Sequence, residues 1–329
     1  MIAPGLPGFV PPLALGIDLG GTKTEALVLD ARGAELWRQR IATPSAEGYD
    51  AMLAALVGLV ADARRALGLA PGAVLTVGMG TPGSLTAEGL VKNANTQCLN
   101  GRALQADLCA RLGQAVAIAN DANCLALSEA SDGAGAGAAV VFAAILGTGT
   151  GAGIAVHGRV LTGPNRLAGE WGHNPLPWAF EDDRDEPRLA CYCGQVGCIE
   201  TLVSGPGLAA DHQRRHGDTG TAPLTAAQIA AAAMVGDGAC IDTIARWHQR
   251  LARALAGVIN LLDPDVIVLG GGLSRITATY TAVPALWGRW VFSGGPREPV
   301  RTRLLPALHG DASGVRGAAW LGREPRLAG

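Results

Sequence analysis

Aromatic residues make up only 4% of this chain, and its charge is nearly balanced, with 26 Lys and Arg against 28 Asp and Glu. A net charge of -2 leaves no basic footprint for a nucleic-acid backbone or an anionic membrane surface. Long apolar runs are missing as well. The longest, around 138–146, has the length of a strand and falls short of the roughly 20 residues of a membrane helix. The opening stretch 1–12 contains several Pro and Gly and has no basic n-region, so it reads as a disordered leader and not as a signal peptide. Cysteine is sparse and odd in number, 7 in 329 residues, which argues against a disulfide framework. These absences point to a soluble, cytoplasmic chain with neither nucleic acid nor membrane as partner.

What is present is a hydrophobic content of 49%, dominated by Ala and enough for a full core, and a length that allows two domains. Strand-like and helix-like patterns alternate. Strands are expected at 13–18, 25–30, 73–79, 115–119, 139–146, 153–156 and 265–269. Helices are expected at 49–67, 102–112, 121–130, 225–235, 240–262, 276–290 and 314–321. That alternation is the mark of an α/β fold. Small residues cluster at 133–137, which suggests a boundary there. The expected layout is a small α/β domain over 13–135, completed by the C-terminal helix 314–322, and a larger α/β domain over 136–313.

The richest segment runs from 169 to 200. It reads Gly169-Glu170-Trp171-Gly172-His173, then an acidic loop, then Cys191-Tyr192-Cys193-Gly194-Gln195-Val196-Gly197-Cys198-Ile199-Glu200. His173, Cys191, Cys193 and Cys198 offer one imidazole and three thiolates, a set that suits tetrahedral zinc. Unrelated free thiols and a surface histidine are the plain alternative. Glu170 and Glu200 flank the ligands, and a structural metal has no use for carboxylates so placed. A polyhydroxylated substrate does, because carboxylates accept hydrogen bonds from hydroxyls. The other cysteines, Cys98, Cys109, Cys124 and Cys240, sit in apolar contexts as small buried hydrophobes.

Three glycine loops follow strands. The first, through Gly16, Asp18, Gly20, Gly21, Thr22 and Lys23, lacks the Lys placement of a P-loop and enters no helix. Its backbone N–H groups can cradle phosphate, and Asp18 can reach a phosphate-bound magnesium, although a plain hairpin turn would look the same. Lys23 could meet a phosphate or simply stay solvated. The second loop is Gly147, Thr148, Gly149, Thr150 and Gly151. It leads into another hairpin and not into the helix that a dinucleotide fingerprint opens. The third, Gly270, Gly271 and Gly272, is bare enough for a base or ribose to approach. Together they suggest one nucleotide bound between two domains. Asn120-Asp121 marks a strand-to-helix step. Either residue could be a helix N-cap, or Asp121 could take the proton of an attacking sugar hydroxyl while Asn120 holds a neighbouring one.

With these motifs in place, the chain resembles the ROK family of sugar kinases and repressors from about residue 15 to 320. Three pieces carry the likeness: 18–23, then Asn120-Asp121-Ala122-Asn123 with Gly147-Thr148-Gly149, and the Gly-Glu-Trp-Gly-His segment with its cysteine cluster. The resemblance implies an actin-like, RNase H-like two-domain ATPase fold and ATP-dependent phosphorylation of a hexose. It implies ATP with Mg2+, structural zinc on the four ligands above, Asp121 as catalytic base, and Asn95, Asn120, Glu170, His173 and Glu200 toward the sugar. It also implies a homodimer. Within the family the strings 91–95, 170–178 and 309–317 resemble bacterial fructokinases of the manno(fructo)kinase type. N-acetylglucosamine kinases share most of them, and glucokinases or mannokinases are further alternatives. The family's repressors carry an N-terminal winged helix, for which a first strand near 13 leaves no room.

Overall fold

The computed structural model describes residues 12–178, 189–217, 222–293 and 295–323. The expected leader, except for its last residue, and the acidic loop beyond Trp178 lie outside these residues. The chain divides into two compact units. One comprises Met1–Asp132, Thr162–Arg166 and Ala312–Gly329, and the other Gly133–Leu161 and Leu167–Asp311.

In the first unit, strands β1 (Leu13–Leu19), β2 (Lys23–Leu29), β3 (Glu35–Ala42), β4 (Leu75–Thr81) and β7 (Val116–Asn120) form one sheet in the order β3-β2-β1-β4-β7. β1 pairs antiparallel with β2 and parallel with β4, which in turn is parallel to β7. A short hairpin, β5 (Ser84–Leu85) with β6 (Val91–Lys92), stands apart. One sheet face packs Leu15, Ile17, Val77 and Met79 against Met52, Leu56, Leu104 and Leu108 from helices Tyr49–Ala66 and Leu104–Leu112. On the other face Ala14, Leu27 and Leu29 meet Val315 and Ala319 of helix Ser313–Leu321.

That helix lies unusually close to the sheet because two strand positions carry no side chain. A Cβ at Gly16 would stand 2.1 Å from the Val315 carbonyl oxygen, and one at Gly78 would stand 2.0 Å from that of Ala318. Gly16 is paired with Leu27 on one side and Gly78 on the other. It therefore sits in mid-strand, two residues before Asp18, and its bareness is used for packing.

The second unit repeats the pattern. Strands β8 (Val140–Leu146), β9 (Thr150–Val156), β10 (Arg159–Val160), β11 (Val266–Gly270) and β12 (Arg303–Pro306) run in the order β10-β9-β8-β11-β12. Again two antiparallel neighbours lie on one side and two parallel ones on the other. The His157-Gly158 turn takes positive φ at both residues, 51° and 72°, as a two-residue hairpin requires. Phe142, Leu146, Ile267 and Leu269 pack with Trp247, Leu251 and Leu255 of the 25-residue helix Gly238–Leu262.

Several elements differ from the sequence expectation. β3 is an edge strand whose exposed and half-buried residues alternate without an apolar run, so hydropathy does not announce it. Helix Gly205–His216 and strand β12 were not expected either. β9 begins at Thr150, so Thr150 and Gly151 belong to a strand and the turn proper is 147–149. The expected helix 276–290 is a shorter α-helix, Thr279–Leu286, bounded by 3-10 turns and carrying Pro284 inside it. Among the described residues no helix is long and apolar enough to cross a membrane.

Candidate functional site

The repeated topology explains where the chemistry-bearing loops fall. In each unit the central hairpin turns at a glycine loop: 20–22 between β1 and β2, and 147–149 between β8 and β9. Parallel strands then end at the same sheet edge. In the first unit Asp18 is in register with Gly80, and Thr81 with Asn120. The Asp18 loop and the Asn120-Asp121 step thus share one edge, as ligand-binding loops do in parallel sheets. In the second unit Gly270 is in register with Ile145, which places 270–272 beside 147–149.

The first turn is tight. Gly20 N–H donates to the Lys23 carbonyl at 3.0 Å, and the Thr43 hydroxyl donates to the Gly20 carbonyl at 2.8 Å. Gly21, Thr22 and Lys23 are exposed. Burial, followed by the neighbouring carboxylates of Asp121 and Glu25, pushes Asp18 up to about 6, with Lys23 pulling the other way. A carboxylate so placed gains from a cation.

Asn120 is the N-cap of helix Asp121–Ser131: its side-chain oxygen accepts the Asn123 N–H at 2.8 Å, which leaves its amide N–H groups to donate elsewhere. Asp121 is therefore the first residue inside the helix. Its carboxylate accepts the Ala122 N–H at 2.8 Å. The residue is exposed, yet the protein around it raises the carboxyl above its usual value, against the lowering by two backbone N–H groups. Desolvation thus outweighs those two hydrogen bonds. Asn95 is exposed in the same unit, and its side-chain oxygen accepts the Thr96 hydroxyl at 3.4 Å.

In the second unit, residues 169–173 lie directly on strand β9. A Cβ at Gly169 would stand 2.0 Å from the Ala152 carbonyl oxygen, and one at Gly172 would stand 1.9 Å from that of Thr150. Only glycine allows that approach. Between them Trp171 turns inward and meets Phe142 edge-on with ring centroids 5.5 Å apart. Glu170, with 41% of its side chain exposed, and His173 project from the same turn.

His173, Cys191, Cys193 and Cys198 come together, with one ligand atom from each lying within 4.8 Å of the others. His173 Nδ1 is 3.5 Å from Cys191 Sγ, and the Cys193 and Cys198 sulfurs are 3.7 Å apart. Tetrahedral zinc with bonds of about 2.0–2.3 Å holds its ligand atoms roughly 3.5–3.8 Å apart, so the set fits. Burial, then the neighbouring thiols, pushes Cys198 up to about 12, and a divalent cation is what would let it ionise. The other ring nitrogen of His173 points away from the sulfurs. It lies 3.1 Å from the Tyr192 hydroxyl and 4.0 Å from Glu170 Oε2.

Glu200 follows the last cysteine by two residues and ties this knot to the second glycine loop. Its Oε2 accepts the Thr150 N–H at 2.8 Å, and a Cβ at Gly149 would stand 2.8 Å from that same oxygen. Gly147 accepts from the Gly205 N–H at 2.8 Å. The bareness of Gly149 is thus used by a carboxylate of this chain, a link that spacing in the sequence does not reveal. At the third loop, Gly271 has φ of 81° and its Cβ would stand 2.5 Å from the Leu146 carbonyl oxygen, so it packs against β8. Gly272 faces open space and is the position where a ligand could approach.

The comparisons with known proteins agree over most of the chain. A family model described as "ROK family" matches residues 14–324. The chain is 39% identical over 318 residues to an N-acetyl-D-glucosamine kinase of Pectobacterium atrosepticum, covering 93% of this chain and 97% of that one. A solved ROK hexokinase from Thermus thermophilus superposes with a TM-score of 0.80 at 29% identity, covering 94% of this chain and 97% of that one. A ROK family glucokinase from Streptomyces griseus, solved in complex with glucose and AMPPNP, superposes with a TM-score of 0.72 at 28% identity, covering 95% and 100%.

Proposed function

The chain belongs to the ROK family and has its actin-like two-domain α/β fold, and from that premise we propose that it is an ATP-dependent sugar kinase whose acceptor is N-acetyl-D-glucosamine. The observation that carries the sugar is the 39% identity to an N-acetyl-D-glucosamine kinase across nearly the whole of both chains. The fructose expectation rests on three short strings that kinases for the two sugars largely share, and it gives way to this longer likeness. The glucokinase complexed with glucose and AMPPNP supports the pairing of a hexose with a nucleoside triphosphate.

Each residue's part follows from its chemistry. ATP, when bound with Mg2+, supplies the γ-phosphoryl group. Asp121 takes the proton from the sugar's 6-hydroxyl as that oxygen attacks phosphorus and the bond to the leaving ADP oxygen breaks. Desolvation raises its carboxyl above the usual value, which makes its carboxylate a stronger acceptor for that proton. Asn120, its oxygen held by the helix, offers amide N–H groups to a hydroxyl, and Asn95 is placed to do the same. Glu170 and Glu200 accept hydrogen bonds from sugar hydroxyls, and His173 presents Nε2 to the sugar while Nδ1 faces the thiolates. Asp18 stands by the first loop to hold water around Mg2+. Gly20 to Lys23, Gly147 to Gly151 and Gly270 to Gly272 are assigned to the nucleotide, with those backbone N–H groups not already bonded within the protein meeting phosphate oxygens. Zinc on the cysteine knot holds the segment carrying Glu170, His173 and Glu200 in shape and takes no part in transfer, since four protein ligands leave no open position.

The test is product analysis. With ATP and N-acetylglucosamine the protein should yield ADP and one phosphomonoester on the 6-oxygen. An unchanged sugar, or a phosphate at another position, would remove this reading.

A further inference from the structure

The Cys191-Tyr192-Cys193 turn carries an aromatic residue that four-ligand metal binding does not need. Tyr192 is 83% exposed, so burial does little to hold it. Yet its hydroxyl lies 3.1 Å from His173 Nε2, and its ring meets the imidazole edge-on with centroids 5.2 Å apart. The metal site sets the sense of that hydrogen bond. Nδ1 faces Cys191 Sγ at 3.5 Å, and a ligating nitrogen carries no proton, so with zinc bound the proton would sit on Nε2. The imidazole therefore donates and the tyrosine oxygen accepts, which leaves the phenol's own proton to donate in turn. Glu170 Oε2, 4.0 Å from the same Nε2, marks the acceptor side. A sugar hydroxyl at this place would make the phenol's bond to Nε2, with the Glu170 carboxylate as an acceptor beside it.

We propose that Tyr192 competes with the acceptor sugar: in the sugar-free protein its hydroxyl stands in the position that one hydroxyl of the sugar takes on binding. The inference rests on the sugar-kinase reading above. Binding is then an exchange: the sugar's hydroxyl replaces the phenol at Nε2, and the exposed ring swings into water. A hexose with no hydroxyl aimed at that nitrogen leaves the phenol in place and gains no bond there. The phenol lowers affinity by the same factor for every sugar that must displace it.

Calorimetric titration of the full zinc-loaded protein with N-acetylglucosamine, glucose and fructose tests this, comparing wild type with Tyr192→Phe and Tyr192→Ala at equal zinc content. Removing the competing hydroxyl should lower the Kd for N-acetylglucosamine by about 2- to 10-fold, the scale of one net hydrogen bond. Both variants should move in that direction, and by the same factor for each of the three sugars that displaces the phenol. Sugar should also produce a tyrosine ultraviolet difference spectrum in the wild type that Tyr192→Phe lacks. A Kd unchanged or raised in Tyr192→Phe, with wild-type binding intact, overturns the proposal alone. A wild type that binds none of the sugars removes the kinase reading and this proposal with it.

Discussion

Asp121 stands one residue past the helix cap, and that single step decides what its substitution should do. Because Asn120 does the capping through its own oxygen, Asp121→Asn leaves the helix start intact. We expect kcat to fall by roughly 10²-fold or more, the scale of a general base, with sugar and nucleotide affinity little changed. Steady-state kinetics settle it, and a variant with near-native kcat on every hexose would reduce Asp121 to a structural role. Asp18 yields a pH prediction. Its folded value, about 6, lies above the ordinary 3.8, so the protein prefers it protonated. The stability this gives is fully present below about pH 4 and is lost as pH rises through about 6. Without nucleotide or Mg2+, Asp18→Asn should therefore gain Tm relative to wild type between pH 4 and 7. A constant Tm difference across that range would refute the assignment. Asp121 was legible as a candidate from the Asn-Asp step alone. Its desolvation was not, because only the folded chain supplies the surrounding protein.

At the scale of elements, two contacts carry the account. The C-terminal helix Ser313–Leu321 can reach β1 only because Gly16 has no side chain. Gly16→Val should destabilise the protein by at least about 3 kcal/mol in urea unfolding, since the clash is with helix backbone and no rotamer relieves it. Wild-type stability in that variant would mean the helix is not seated as described. The metal knot is the other contact. Cys191→Ser should lower Tm and raise the sugar KM together, because the knot and the turn bearing Glu170 are one piece of chain. Metal analysis supplies the control. Well under one zinc per chain, with full activity after chelation, would contradict a structural metal. The four ligands were readable from spacing, as thiolates two and five residues apart with a nearby imidazole suit one ion. The tie from Glu200 to Thr150 was not, since the two are fifty residues apart and nothing in either segment names the other. β3 escaped for a related reason: an edge strand with little to bury leaves little hydrophobic signal.

For the whole molecule, the alternation of strands and helices was enough to give the α/β class, while the internal repeat emerges only from strand order. Each sheet sets two antiparallel strands beside two parallel ones around its first strand, and each turns its first hairpin at a glycine loop. The sequences of 13–29 and 140–156 share too little beyond those glycines for the repeat to be seen in the chain. The choice of sugar was the least legible property. It depends on a few hydrogen bonds at a site whose residues serve several hexoses, so short motifs underdetermine it. The central claim, transfer of phosphate from ATP to N-acetylglucosamine, is tested most directly by kcat/KM from ADP release across N-acetylglucosamine, glucose, mannose and fructose. The account predicts the highest value for N-acetylglucosamine, and little ADP without sugar. A higher value for fructose or glucose, or ADP release that no sugar stimulates, would contradict it.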